Sequence, residues 1–449
     1  MRFLPERENI TAAVLGLGYV GSCVAAVLAD RGVNVIGVDT DPVLVEELNA
    51  GHCRFSEAGL PELVARHAGD RLRVTTSYES VSEADVVIVA VGTPTGERGV
   101  MRENQLRGAC EELGRHIRPG QLLVFKSTVP PGVTRSLALP LLERGGLVCG
   151  EDFGVAFCPE RLSEGTALRE LRSFPIIVGG WCADSSAAAV EFWRRTIGVE
   201  VIPVASLEAA EMVKLADNWW IDHNIALANE LARVCAALDV DVLDIISAAN
   251  SIPKGNGNVN ILLPSVGVGG SCLTKDPWMV WRSAQEHGID LLTIPAAREV
   301  NDSMPHHTRD LIVGELAELG RQPAGAKVTV LGLAFKNNTG DLRETPVRPV
   351  VEELLKAGVE VTLYDPLVDA DEAEKLFGLP QAASLEEAVR GADCLAVLAW
   401  HREFHDIDFA ALREHVAPKC AVIDGRAYYP RETIDLLRAS GYAYRGIGR

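Results

Sequence analysis

The chain has no CxxC pair and its ten cysteines lack metal-ligand spacing, so they predict neither a disulfide framework nor a zinc site. They are scattered, most of them in apolar segments, as in a reduced, cytoplasmic protein. Positive charge is scarce: 43 Lys and Arg stand against 62 Asp and Glu, a net charge of −19. Nucleic acid and anionic membranes need a basic surface and are excluded as main partners; a small anion held by locally gathered cations is not. Low-complexity runs are missing. The uncharged run Ile10–Ala29 follows the mixed-charge Arg2–Glu8 rather than a basic leader. Three glycines interrupt it, so neither a targeting nor a membrane-spanning segment is expected.

What is present is enough for two or three domains, since 449 residues exceed what one core serves. Ala12–Leu15 is a short apolar run of buried-strand type. Gly16-Leu17-Gly18-Tyr19-Val20-Gly21 follows, then a helical stretch from Ser22 to Asp30 and a second apolar run ending at Asp39. Strand, glycine turn, helix, strand and acid in that order make a dinucleotide-binding unit. Gly16 makes the tight turn, Gly18 admits a pyrophosphate to the backbone, and Gly21 lets helix and strand pack. The phosphates would meet the helix N-terminus. Asp39 would accept from a ribose 2′-hydroxyl and repel a 2′-phosphate, which selects NAD over NADP.

Strand-like runs at Asp85–Val91 and Gln121–Phe125 end in Gly92-Thr93-Pro94-Thr95 and Lys126-Ser127-Thr128-Val129-Pro130-Pro131-Gly132. In an open parallel sheet such loops face the ligand crevice, with Thr93 and Thr128 as hydroxyl donors, although Thr128 also suits a turn cap before two prolines. A further strand, Gly154–Phe157, leads to Cys158-Pro159-Glu160-Arg161-Leu162-Ser163-Glu164. From Ser206 to about Leu238 no Gly or Pro occurs and strong helix formers dominate, so one long helix between two lobes is expected. Lys214 and Asn218 share its face at i, i+4 spacing. A lysine among Met212, Val213 and Leu215 also suits simple snorkelling.

Gly267-Val268-Gly269-Gly270-Ser271-Cys272-Leu273-Thr274-Lys275-Asp276 gathers three glycines, one thiol, a cation and a carboxylate. The glycines are expected to clear the approach to the cysteine. A thiolate favoured by a nearby cation, beside a carboxylate able to handle a proton, is a candidate nucleophile. Taken alone, the loop equally fits a structural turn around a small buried hydrophobe. After a linker at Gln322–Gly325, Lys327–Lys336 and Val359–Pro366 echo the first strand–turn unit as a degenerate repeat. The glycine triplet is lost and Lys336 stands in the turn, which points to another anion held by side-chain charge. Strand signals at Cys394–Ala399 and Cys420–Asp424 complete the series, the last leading into Gly425-Arg426.

Together these motifs resemble the UDP-glucose/GDP-mannose dehydrogenase family, the nucleotide-sugar 6-dehydrogenases, over nearly the whole chain. The resemblance implies an α/β protein of two Rossmann-like doubly wound domains joined by a long central helix and a helical dimerisation region. Residues 1–205 would bind NAD, 206–321 would carry the cysteine loop, and 322–449 would bind a UDP-sugar. It implies oxidation of a sugar C6 alcohol to a carboxylate with two NAD in succession, through an aldehyde captured by Cys272 and a thioester. Lys214 and Asn218 would stabilise the oxyanion, and Asp276 with Thr128 and Glu164 would direct water. Gly16, Gly18, Tyr19, Val20, Gly21, Asp39, Thr93, Pro94, Ser127, Thr128, Lys275 and Arg343 would contact the cofactor. Glu160, Arg161, Leu162, Lys214, Asn218, Gly269, Phe335, Lys336 and Arg426 would contact the substrate. A homodimer or higher homo-oligomer is implied, and no metal.

Asn224–Glu230, Asp276-Pro277-Trp278 and Arg298–Pro305 are similar to the UDP-N-acetylhexosamine branch; Ser271 and Lys275 are similar to the UDP-glucose branch. Trp219-Trp220-Ile221 departs from both. The arginine that the family lends to a neighbouring site is not found in Ser251–Asn258, where Lys254 is the only cation. Two other functions fit the same NAD unit: a two-electron hydroxyacid-type dehydrogenase with an inert Cys272, and a non-catalytic NAD-binding regulator.

Overall fold

The computed structural model describes residues 2–7, 9–255 and 257–449; Met1, Glu8 and Asn256, the last two within segments weighed above, lie outside the described residues. The chain divides into two compact units, Met1–Asp217 with Trp278–Asp290, and Asn218–Pro277 with Leu291–Arg449.

In the first unit eight strands form one sheet: β1 (Thr11–Leu15), β2 (Asn34–Val38), β3 (Leu72–Thr75), β4 (Val86–Val89), β5 (Leu122–Phe125), β6 (Gly154–Phe157), β7 (Ile176–Gly180) and β8 (Val201–Val204). Their order is β3-β2-β1-β4-β5-β6-β7-β8. All neighbours run parallel except β6 and β7. The six-strand part has the doubly wound order of dinucleotide-binding folds. Parallel sheets are covered on both faces, which explains why β4, β5 and β6 are apolar throughout and wholly buried. Two apolar clusters occupy the two faces, one around Phe192 and Trp193, the other around Phe125 and Phe153.

The second unit holds a short hairpin, β9 (Pro253–Lys254) with β10 (Gly257–Asn258), and a parallel sheet of β11 (Lys327–Leu331), β12 (Glu360–Tyr364), β13 (Cys394–Val397), β14 (Cys420–Asp424) and β15 (Tyr442–Gly446). The sheet order is β12-β11-β13-β14-β15. Both expected Rossmann-like sheets are therefore present, and the repeat extends to individual hydrogen bonds. Gly16 N–H donates to the Val38 carbonyl (2.9 Å) and Gly332 N–H to that of Tyr364 (3.0 Å). Both glycines have positive φ, +81° and +85°. Leu17 N–H donates to Asp39 Oδ2 (2.6 Å), as Leu333 N–H does to Asp365 Oδ2 (2.7 Å). The acid ending the second strand of each sheet thus fixes the turn that ends the first.

The units differ after that turn. In the first a helix, Tyr19–Asp30, begins at once; in the second the next helix, Val347–Lys356, starts only after an irregular stretch. Asp365 is also buried against His401, 2.9 Å from its Nε2. Asn338 N–H donates to His401 Nδ1 (2.8 Å), so Nε2 carries the ring proton and donates to the carboxylate.

The central helix, Leu207–Ala237, is continuous as its composition predicts, and the division between units falls within it, after Asp217. No helix among the described residues is long and apolar enough to cross a membrane.

Candidate active site and cofactor cradle

The first unit builds a dinucleotide cradle from backbone. A Cβ at Gly16 would lie 2.9 Å from Val91 N, and one at Gly21 only 1.8 Å from the Gly16 carbonyl oxygen. At Gly18 a Cβ would meet no protein atom within 4 Å. The outer two glycines are thus required by packing, while Gly18 leaves space for something that is not protein. It caps the Tyr19–Asp30 helix without a side-chain bond, so the first-turn N–H groups, including that of Val20, have no side-chain cap. These features fit a pyrophosphate at a helix N-terminus. Asp39, at the end of β2, bonds Leu17 and Asp41 N–H groups. Tyr19 donates through its hydroxyl to Glu57, and the buried Glu57 also accepts from Gly165 N–H (2.7 Å).

The loops after β4 and β5 are tied together. Thr93 Oγ1 donates to the Thr128 carbonyl (2.6 Å) and Ser127 Oγ to that of Val91 (2.7 Å). Pro94 lies in the first of these loops, and its carbonyl accepts from Arg102 N–H (2.8 Å). Glu211 of the central helix receives Gly132 N–H (2.5 Å) and Thr134 N–H (3.0 Å), which fixes the end of the second loop. Lys126 is buried, donates to the Cys158 carbonyl (3.1 Å) and lies 5.2 Å from the Trp193 ring centroid. Burial holds its ammonium below the ordinary lysine value, Glu160 and the Cys158 thiol acting in the opposite sense and Lys214 with it.

Glu160, Arg161, Leu162 and Glu164 lie in the loop after β6, not on a helix. Glu160 accepts the Leu162 N–H, and its other oxygen is 3.8 Å from Lys214 Nζ. Arg161 pairs with Asp217 (2.7 Å). The central helix therefore grips this loop through Lys214 and Asp217, three residues apart on one face.

In the second unit the cysteine loop is braced from both sides. Asn218 Nδ2 donates to Asp276 Oδ2 (2.6 Å), and Lys275 Nζ to Asp276 Oδ1 (2.6 Å). The fully buried Asp276 carboxylate thus has both oxygens engaged. The Cys272 carbonyl accepts Lys275 N–H (3.1 Å) and Asp276 N–H (2.9 Å), a single turn leading into the helix Asp276–Glu286. Cys272 alone of the ten cysteines is exposed. Burial pushes the thiol of Cys158 up to about 11, and those of Cys110, Cys149 and Cys420 up to about 12.

At two of the loop glycines the room left by a missing Cβ is taken up by protein. A Cβ at Gly269 would approach Phe335 Cβ to 2.6 Å and the Glu344 carbonyl oxygen to 2.5 Å; one at Gly270 would reach the Phe335 ring at 2.7 Å. Gly270 N–H also donates to the Arg343 carbonyl (3.0 Å). Their bareness lets the cysteine loop lie directly on the turn after β11. There Arg426 donates to the Phe335 carbonyl (2.9 Å), so Gly269, Phe335 and Arg426, distant in sequence, converge with Lys336 next in the chain. The Arg343 side chain pairs with Asp341 (2.5 Å).

Sequence reasoning missed Glu57, Glu211 and Asp222 as supports. Only the position of Glu211 and Asp222 on the same helical stripe as Lys214 and Asn218 could have signalled them.

A cradle for a dinucleotide and an exposed thiol beside a pinned carboxylate define the class, an NAD-dependent dehydrogenase acting on nucleotide sugars. The chain belongs to the UDP-glucose/GDP-mannose dehydrogenase family: the family's NAD binding domain matches residues 10–197, its central domain 208–303 and its UDP binding domain 329–431. It is 33% identical over 443 residues to the UDP-N-acetyl-D-mannosamine dehydrogenase of Methanococcus maripaludis, covering 97% of this chain and 96% of that one. It is 34% identical over 429 residues to the UDP-glucose 6-dehydrogenase of Haloferax volcanii, covering 93% and 97%. The solved structure of the UDP-D-ManNAc dehydrogenase from Pyrococcus horikoshii matches with a TM-score of 0.87 at 32% identity, over 98% of this chain and 99% of that one.

Proposed function

We propose that the protein oxidises the C6 alcohol of a UDP-N-acetylhexosamine, with UDP-N-acetylmannosamine first among candidates, to the uronic acid. The observation that carries this reading is the Cys272 turn: one exposed thiol, held beside a carboxylate whose two oxygens are already fixed by Asn218 and Lys275. The sugar is chosen on the matches to mannosamine dehydrogenases and on the Arg298–Pro305 segment. UDP-glucose is the second candidate, since a relative of similar identity acts on it.

NAD, when bound at the first glycine turn, supplies the hydride acceptor for both oxidations. The chain's own part is covalent. The Cys272 thiolate adds to the C6 aldehyde, and Lys214 and Asn218 hold the resulting oxyanion. Oxidation of that adduct leaves a thioester on sulfur. Asp276, Thr128 and Glu164 direct water onto it, which expels the thiolate and releases the acid. Capture on sulfur keeps the aldehyde from escaping.

In this reading Lys275 and Arg343 approach the cofactor, and Lys336, Arg426 and Phe335 hold the diphosphate end. Residues 1–205, 206–321 and 322–449 are the NAD, cysteine and UDP-sugar segments. The active species is a homodimer, supported by the exposed apolar residues on the central helix. Ten cysteines without a disulfide support a cytoplasmic location.

The test is Cys272→Ser with UDP-N-acetylmannosamine. The native enzyme is expected to form two NADH per sugar, and the variant to bind both ligands yet release no acid. Acid release at the native rate by the variant would remove the covalent route, and one NADH per sugar would favour a two-electron dehydrogenase.

A further inference from the structure

The buried face of the central helix carries five polar residues, Glu211, Lys214, Asn218, Asp222 and Asn229. The first three reach loops already described. The last two start a chain of hydrogen bonds with no assigned role. Asn229 Oδ1 accepts Ser265 N–H (2.7 Å), and its Nδ2 donates to Asn301 Oδ1 (2.9 Å). Asn301 Nδ2 in turn donates to both the carbonyl and the Oδ1 of Asp222 (2.9 Å each). Arg298 donates to the same Oδ1 (2.7 Å). At the other end Ser265 Oγ donates to the Gly267 carbonyl (2.8 Å), at the start of the cysteine loop.

The direction of every bond is dictated. A backbone N–H only donates, so Asn229 must turn its oxygen to Ser265 and its amide N–H to Asn301. Asn301 must then turn its own N–H to Asp222, whose carboxylate faces the Arg298 guanidinium. Neither amide can flip without setting two acceptors against each other. Both asparagines, Asp222 and Arg298 are buried. A contact serving only to join two helices would be met as well by apolar side chains, because burying an ion pair and two amides has a desolvation cost.

We propose that Asn229 and Asn301 are positioning residues for the nucleophile: the Arg298–Asp222–Asn301–Asn229–Ser265 relay sets the path of the backbone into Gly267 and so the placement of Cys272. Gly267 has φ +133°, and a Cβ there would lie 2.9 Å from Pro346, so this backbone has one way through. The proposal rests on the reading of Cys272 as the nucleophile.

The test is Asn229→Asp in the full chain, an isosteric change that keeps the acceptor for Ser265 and replaces the donor to Asn301 with a second acceptor. Four quantities are read: the rate of iodoacetamide alkylation at Cys272, located by peptide mass spectrometry; kcat; the KM for NAD; and the thermal midpoint. A misplaced nucleophile is expected to lower kcat about 10- to 100-fold, with the KM for NAD unchanged and a changed alkylation rate at Cys272. Ser265→Ala, which removes only the link to Gly267, is expected to move the same quantities the same way by less. Native kcat and alkylation in a folded Asn229→Asp protein would overturn the proposal. So would losses in both that merely track the fraction unfolded, and Ser265→Ala settles the matter if the first variant does not fold. Alkylation needs no turnover, so it reports on the loop even if Cys272→Ser shows the covalent route to be wrong.

Discussion

At the scale of single residues, identical side chains have different tasks. Gly16 and Gly18 lie two apart in one turn, yet only Gly16 has positive φ and a crowded Cα. Gly18 has φ −59°, which any residue adopts, and open space where a Cβ would point. Gly18→Ala is expected to leave stability within about 0.5 kcal/mol and to weaken NAD binding at least about tenfold. Gly16→Ala is expected to cost more than about 1 kcal/mol in the unliganded protein. Calorimetric NAD titration and thermal melts of both variants check this pair; equal stability losses would mean that Gly18 is also a packing residue. Lys126 gives a pH-dependent counterpart. Its folded-state value lies below the ordinary 10.5 because of burial, so the unfolded chain binds more protons between the two values. Stability must therefore rise with pH across that window. Relative to Lys126→Met, the native protein is expected to gain stability as pH rises toward 10.5. A flat difference in denaturation midpoint would show that Lys126 titrates alike in both states.

At the scale of elements, the central helix has two working faces. Its buried stripe holds loops by hydrogen bonds, while Trp220, Leu227 and Val234, spaced by seven, are 48%, 47% and 55% exposed. Large apolar residues repeated on one solvent face of a helix suit a partner helix. Leu227→Glu with Val234→Glu is expected to reduce the sedimenting mass to that of a single chain without changing the folded helix content. An unchanged oligomer would place the interface elsewhere. This helix was legible in the sequence because nothing breaks it from Ser206 to Leu238. Six strands were not read: β7 inside its sheet, the two-residue β9 and β10, and β3, β8 and β15 at sheet edges. There one side of the strand lacks a neighbour, and β8 is largely solvent-accessible and includes Pro203, so it lacks the unbroken apolar run of a central strand.

For the whole molecule, the chain repeats one strand–turn–strand device and uses it twice with different chemistry. The turn at Gly16 opens directly into a helix whose N-terminus suits phosphate. The turn at Gly332 has Ala334 where Gly18 stands, and no helix starts there. Only the first is expected to hold a dinucleotide, so NAD titration of the intact protein should give one site per chain. A second site that survives Gly18→Ala would contradict this. In the proposed reading anions at the second turn would meet side-chain cations, Arg426, which donates to the Phe335 carbonyl, and Lys336, next in the chain.

By itself the sequence determined the parallel core of each sheet, the continuous helix and the NAD-binding turn, because each is a local matter of periodicity, glycine spacing and helix propensity. It also marked Cys272, Lys275 and Asp276 as neighbours, since four residues span one turn. Only the tertiary structure decided that Gly269 and Gly270 make room for Phe335. The same holds for Asp276 being held by Asn218, and for a buried polar relay running from Arg298 to Ser265. Those contacts join residues far apart in sequence, and their energies depend on burial and hydrogen-bond direction, which exist only once the chain has folded.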